Sequence, residues 1–260
     1  MRGCIALCLV VLSFRCIAPT VARAQEAIGA GIAENIAAGR SPTDFNSRLR
    51  IRSGYLSLRQ DTQLVLTRFS GTYAAHPRVA LRLQVPLLYA DPDGGSSRFG
   101  ASDISTRVLW RAWSHPRMAA FVGVELFFPT ASHSALGAEK YSVSPIVVGF
   151  FQLFDNLFFI PAYQQIISYA GVADRADLNI LRVRPMLLAQ WPARWWTLLD
   201  PGFLWDLEDD LPLDDTLTMG LEVGRQVSPR VAFSGKPSIQ VYGTEDFAWA
   251  FELSFTYRFN

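Results

Sequence analysis

The C-terminal stretch reads Phe247-Ala248-Trp249-Ala250-Phe251-Glu252-Leu253-Ser254-Phe255-Thr256-Tyr257-Arg258-Phe259-Asn260. Every odd position from 247 to 259 is aromatic or leucine, and every even position from 248 to 258 is small, polar or charged. A strict period of two is the signature of a β-strand, whose successive side chains point to opposite faces. The same alternation recurs upstream. Val231, Phe233, Ile239 and Val241 oppose Ser234, Lys236, Ser238 and Gln240. Ile104, Val108 and Trp110 oppose Asp103, Ser105, Arg107 and Arg111, while Val122, Val124, Leu126 and Phe128 oppose Gly123 and Glu125. Near the start, Arg48, Arg50 and Arg52 alternate with Leu49 and Ile51.

Turn signals divide these stretches evenly. His76-Pro77-Arg78 and His115-Pro116-Arg117 are near-copies 39 residues apart, and Asp155-Asn156, Pro192-Ala193-Arg194 and Ser228-Pro229-Arg230 continue the series. Such clusters favour tight turns. Longer, more polar segments at 91–100, 130–141, 171–175, 208–215 and 243–246 fall midway between them. The chain therefore zigzags, with tight turns at one end and longer loops at the other. About twelve strands are predicted, starting near 46, 62, 78, 101, 117, 142, 157, 176, 194, 214, 230 and 247. Residues 146–160 are apolar on both faces and could pass for a buried helix. Asp155-Asn156 within that stretch, with Pro145 and Pro161 just outside its ends, favours a hairpin.

The apolar faces are long and dense in aromatics, and the opposite faces carry Arg, Glu and small residues. A bilayer-spanning strand needs about 9–11 tilted residues with aromatic girdles at both interfaces. Trp249, Trp110, Trp205, Tyr257, Phe259, Tyr89 and Tyr73 lie near strand ends, where girdles belong. An even number of strands closes the sheet, so that no edge stays unpaired in lipid. The predicted fold is all-β: a transmembrane, antiparallel up-and-down β-barrel of about 12 strands. No segment after the first 24 residues offers 18 uninterrupted apolar residues, so helices of the inner-membrane type are not expected.

Composition agrees. The chain has 260 residues, 50% apolar, 13% aromatic and only 18% charged. Its net charge of +1 gives no bulk field for nucleic acid. All three cysteines precede residue 17, which excludes a disulfide scaffold, a Cys-ligated zinc site and a thiol nucleophile after that point. Residues 1–24 read as a secretory signal, with Arg2, a short apolar run and Ala22-Arg23-Ala24 before Gln25. Residues 25–45 form a flexible or weakly helical N-terminal segment, placed either in the lumen as a plug or in the periplasm. Residues 46–260 form the barrel, in the outer membrane of a Gram-negative cell.

Three segments carry a family resemblance. Pro77-Arg78-Val79-Ala80-Leu81-Arg82-Leu83-Gln84-Val85-Pro86-Leu87 is similar to the turn, alternating strand and V-P-L segment of the outer-membrane family named for the MetA pathway of phenol degradation. Phe99-Gly100-Ala101-Ser102-Asp103-Ile104 resembles that family's G-x-G-D signature, with Ser102 in place of the second glycine. Glu125-Leu126-Phe127-Phe128-Pro129-Thr130 resembles its later hydrophobic-P-T segment. The resemblance implies a transport barrel for small, often aromatic or apolar, compounds.

An arginine facing lipid at mid-bilayer costs about 2–4 kcal/mol. The charged residues Arg48, Arg50, Arg52, Arg68, Arg82, Arg107, Arg111, Glu125, Arg182, Arg184, Glu222, Lys236, Glu252 and Arg258 are therefore predicted to line the lumen. Two readings follow. A basic wall would select anions or orient carboxylated solutes, whereas a salt-bridged filling would have Glu125, Glu222 and Glu252 neutralise neighbouring arginines. His133-Ser134 invites comparison with a lipid hydrolase, but adjacent strand residues point oppositely, and that chemistry needs both on one face. His76 and His115 read as turn residues. The acidic loop with Asp206, Glu208, Asp209, Asp210, Asp214 and Asp215 is either solvated or holds a divalent cation bridging lipopolysaccharide. No phosphate loop, dinucleotide fingerprint or metal-ligand cluster appears, so no cofactor is expected. The expected function is a channel or transport barrel for small-molecule solutes. The expected partners are the lipid bilayer, lipopolysaccharide and the barrel-assembly machinery. A hydrolase, or a structural or adhesion barrel, is the alternative.

Overall fold

The computed structural model describes residues 43–58, 62–91, 96–208, 215–243 and 248–259. The expected signal at 1–24, most of the 25–45 segment and the centre of the acidic loop, including Asp209, Asp210 and Asp214, lie outside them. The strands are β1 (Arg48–Ser57), β2 (Gln63–His76), β3 (Val79–Asp91), β4 (Arg98–Ala101), β5 (Ile104–His115), β6 (Met118–Phe128), β7 (Lys140–Phe154), β8 (Leu157–Gly171), β9 (Asn179–Trp191), β10 (Trp195–Asp206), β11 (Thr216–Gln226), β12 (Val231–Tyr242) and β13 (Trp249–Arg258). Among the described residues there is no α-helix, only two single-turn 3-10 elements at Ser134–Leu136 and Pro192–Arg194.

The sheet is closed. β1 pairs with both β2 and β13, β2 pairs with β3, and every pairing is antiparallel. β4 and β5 are two halves of one wall strand, since both run along β3: Arg98–Ala101 opposite residues 87–90, and 105–110 opposite 79–84. The wall therefore has twelve strands, and their starts fall within three residues of the predicted ones. Tight turns gather at one end and the longer loops at the other.

Alternation sorts the two faces. In β13, Trp249, Phe251 and Leu253 are exposed on the outside, while Ser254, Thr256 and Arg258 are buried within. In β1, Leu49 and Ile51 are exposed, while Arg50 and Arg52 are buried. Residues 146–160 form the predicted hairpin, turning at Asp155-Asn156. Pro145 and Pro161, which flank 146–160, lie within β7 and β8. Both face outward, as do Pro185, Pro201 and Pro237. A proline donates no ladder hydrogen bond, and the pairing is interrupted near several of them. β9 and β10 pair at Leu187↔Leu199 and resume only at Val183↔Phe203. That gap places Pro185 and Pro201 on facing strands. The β7–β8 and β11–β12 ladders also skip at Pro145 and Pro237, whereas between β8 and β9 Pro161 faces Pro185 within a continuous register.

Candidate functional site

All fourteen charged residues expected in the lumen occupy inward-facing positions of their strands. A middle belt brings together Arg50, Arg52, Arg68, Arg82, Arg107, Arg182, Arg184 and Lys236 with Glu125, Asp200, Glu222 and Glu252. All twelve side chains are largely withdrawn from solvent. Eight cations thus face four carboxylates.

Three carboxylates act as hubs. Glu125 on β6 is fully buried and accepts from Arg82 Nη2 at 2.6 Å, Arg107 Nε at 3.0 Å and Ser105 Oγ at 2.8 Å, with Gln164 Nε2 at 3.4 Å. Its partners come from three other strands, so one side chain ties together four of the twelve wall strands. Asp200 on β10 accepts from Arg184 Nε at 2.8 Å, and its other oxygen binds Arg184 Nη2 and Lys236 Nζ. Glu252 on β13 pairs with Arg52 Nε at 3.1 Å and with Arg68. Charge-assisted, partly bidentate bonds of this kind are the strong class of hydrogen bond. Of the two sequence readings, the ion-paired interior is present, and a cationic excess remains on top of it.

The fourth carboxylate differs. Glu222 is 2% exposed, and its Oε1 has no hydrogen-bond partner among the described residues. Two residues further along β11, Gly224 faces Trp196 of β10. A Cβ at Gly224 would lie 2.0 Å from Cζ2 of that indole, so only glycine lets the ring lie against the wall. The indole is fully buried, and its Nε1–H also lacks a partner among the described residues.

The remaining lumen wall is two-sided. Toward the tight turns, β6–β10 contribute an apolar cluster that includes Phe121, Val148, Phe158, Met186, Leu188 and Trp196. On the other side, Ser70, Ser234, Ser254 and Thr256 are buried beside Arg50 and Arg258. Arg50 Nε donates to Thr256 Oγ1 at 2.9 Å, and Arg258 Nη1 donates to Gln226 Oε1 at 3.1 Å. The chain just before β1 closes the tight-turn end. Phe45 meets Phe121 edge-on at 5.8 Å, and Arg111 Nη1 binds the Thr43 carbonyl at 2.9 Å and Asp44 at 3.1 Å.

At the loop end, the β6–β7 loop folds over the mouth. Leu136 is buried against Leu64, Leu66, Leu88 and Ala90. Asp103, in the break between β4 and β5, accepts from the backbone N–H of Ala131 at 3.1 Å and of Ala138 at 2.6 Å, and Ser102 Oγ donates to the Leu136 carbonyl. Gly100 permits the approach, since a Cβ there would lie 2.0 Å from Ser132 Oγ. The signature-like residues Gly100, Ser102, Asp103 and Thr130 thus form one device that seats this loop. His133 caps the 3-10 turn through Nδ1, which accepts from Ala135 N–H at 3.1 Å, and its Nε2 lies against Arg98. His133 and Ser134 are therefore loop-building residues. His76 Nδ1 likewise accepts from Arg78 N–H inside its turn, at 3.1 Å. In the described part of the acidic loop, Asp206 Oδ1 accepts from Glu208 N–H at 3.1 Å.

The sequence reading missed Asp200, Lys140 and Trp196. Trp196, Leu198 and Asp200 alternate inward, but β10 is apolar on both faces, so alternation does not mark its inner face.

No sequence-family model matches the chain, and no curated protein matches it. Solved structures do share its fold. An outer membrane channel from Pseudomonas putida F1 superposes with a TM-score of 0.66 at 12% identity, over 82% of this chain and 96% of that one. The NanC porin gives 0.61 at 11% identity, over 82% and 99%. The CymD monoaromatic hydrocarbon channel gives 0.51 at 11% identity, over 90% and 94%. The architecture is that of outer-membrane barrels.

Proposed function

We propose that this chain is a passive transport barrel of the outer membrane for small solutes, and that it favours solutes joining an apolar, often aromatic, body to a negative charge. The observation that carries this reading is the two-sided lumen. Toward the tight turns an apolar wall on β6–β10 faces a polar wall on β1, β2, β12 and β13, and beside it a belt in which eight cations outnumber four carboxylates runs around the lumen. An aromatic ring would slide along Phe158, Met186 and Trp196 while its anionic group passes from one guanidinium to the next. Weak binding at several successive sites is what conduction needs. Glu222 Oε1 and Trp196 Nε1–H would take a hydroxyl or amide carried by such a solute. The fold shared with channels, one of them a monoaromatic hydrocarbon channel, supports the reading. So does the resemblance to the family named for phenol degradation. The aromatic C-terminal strand would be read by the assembly machinery, and the acidic loop around 206–215 would face lipopolysaccharide.

The test is uptake into liposomes containing the full chain. Benzenesulfonate should enter several-fold faster than methanesulfonate or arabinose, and Arg50→Ser with Arg52→Ser should remove its advantage over arabinose. Equal entry of all three, or no protein-dependent entry, would overturn the proposal.

A further inference from the structure

Four of the five tight turns end in arginine, and each arginine immediately precedes the next strand. Arg78 precedes Val79, Arg117 precedes Met118, Arg194 precedes Trp195 and Arg230 precedes Val231. All four are exposed. Their stations are fixed by backbone bonds to the neighbouring strand. The carbonyls of Arg78, Arg117 and Arg230 accept from Arg111, Gln152 and Arg258 N–H at 2.9, 2.8 and 2.8 Å. At Ala193-Arg194 both residues have positive φ, 57° and 62°. Glycine or asparagine fills that region at less cost, yet arginine stands there.

A fifth guanidinium shows where the rim sits relative to lipid. Arg225 points outward near the end of β11 and lies 5.3 Å from the ring centroid of Trp195. Trp195 belongs to a set of exposed, outward aromatics at this end that includes Tyr73, Trp113, Phe154 and Trp191. Such a girdle marks the headgroup level of a bilayer. The described carboxylates at this end are Asp44, which pairs with Arg111, and Asp155. The opposite end is acidic among its described residues, with Glu139, Asp174, Asp177, Asp206, Glu208 and Asp215 against Arg98, Lys140 and Arg175. The two ends of the barrel therefore carry opposite charge.

We infer that the tight-turn rim is a docking belt for the phosphate groups of anionic glycerophospholipids. Guanidinium groups match phosphate oxygens in a bidentate fork, and basic residues at the headgroup level draw anionic lipid from the surrounding bilayer. The ring of aromatics receives the acyl chains of the same molecules. The belt would fix the barrel's height in the membrane and set its lipid annulus at one leaflet.

The experiment uses the full chain in neutral detergent and follows lipid binding by native mass spectrometry. Dioleoyl phosphatidylglycerol should bind on the order of tenfold more tightly than dioleoyl phosphatidylcholine, and added salt should weaken the preference. Arg78→Gln, Arg117→Gln, Arg194→Gln and Arg230→Gln together should abolish the preference, with closure of the barrel checked by heat-modifiable gel migration. Should that variant not fold, Arg78→Gln with Arg117→Gln should still lose about half of the preference on a logarithmic scale. Equal binding of the two lipids by the wild-type chain, or an undiminished preference in a folded variant, would overturn the inference.

Discussion

Arg184 and Asp200 meet in the lumen at the level where the ladder between β9 and β10 is unpaired. Outside the wall at the same level stand Pro185 and Pro201. Strands joined without backbone bonds there are held by side chains, and Asp200 also carries Lys236 of β12. Removing one member of a buried ion pair leaves uncompensated charge and costs about 3–5 kcal/mol, whereas replacing the whole set by apolar residues of similar volume is often neutral. We expect Asp200→Asn to lose about 3 kcal/mol in denaturant unfolding from lipid. Arg184→Met, Asp200→Leu and Lys236→Met combined should recover most of that loss.

Leu253 points outward from the middle of β13 and is 58% exposed. On a lipid-facing wall, Leu253→Arg should cost about 2–4 kcal/mol. The same change on a water-facing wall would cost almost nothing. Unfolding titrations in phospholipid vesicles distinguish the two.

Asp103 holds the β6–β7 loop over the mouth by two backbone hydrogen bonds. Asp103→Ala leaves those donors without their acceptor and should free Leu136 from its apolar seat. Two effects are expected: faster proteolysis within 129–139 and solute uptake raised several-fold. Unchanged proteolysis would show that the loop is seated by other contacts.

Asp177, in the exposed loop after β8, receives hydrogen bonds from Lys140 Nζ at 2.8 Å and Ser168 Oγ at 3.0 Å, and the lysine bond above all holds its carboxyl below the ordinary value near 3.8. A carboxyl lowered in the folded chain contributes stability above its unfolded value and loses it as pH falls through the folded value. The loop should therefore stay docked through mild acid and loosen only below about pH 3.8. Amide exchange at Leu178, whose N–H donates to Ser168 Oγ, reports the change. In Asp177→Asn the acid transition should vanish.

The fold was most legible where the two faces differ in chemistry. β1, β12 and β13 put aromatics and leucines in lipid and arginine, serine and threonine inside, so alternation alone assigns each face. It was least legible in β7–β10, because part of the lumen is itself apolar. Ile146, Val148 and Phe150 point in while Val147 and Phe151 point out, and hydropathy does not separate them. There the turn at Asp155-Asn156 carried the assignment. Pro145 and Pro161 face outward inside strands that continue past them, as the predicted hairpin requires. The lumen charges were legible through the cost of placing them in lipid. That Glu125 and Glu252 pair with arginines was one of the two readings. The particular partners were not legible, because Glu125 meets Arg82 and Asp200 meets Lys236 across an intervening strand, and Glu252 meets Arg52 and Arg68 only across the β1–β13 seam.

The most direct measurement is the reversal potential of the purified chain in a planar bilayer across a potassium chloride gradient. With eight cations facing four carboxylates in the belt, current should be carried mainly by chloride, and Arg50→Ser with Arg52→Ser should move the potential toward potassium. Potassium selectivity in the wild-type chain, or no protein-dependent current at any voltage, would contradict a basic conducting lumen.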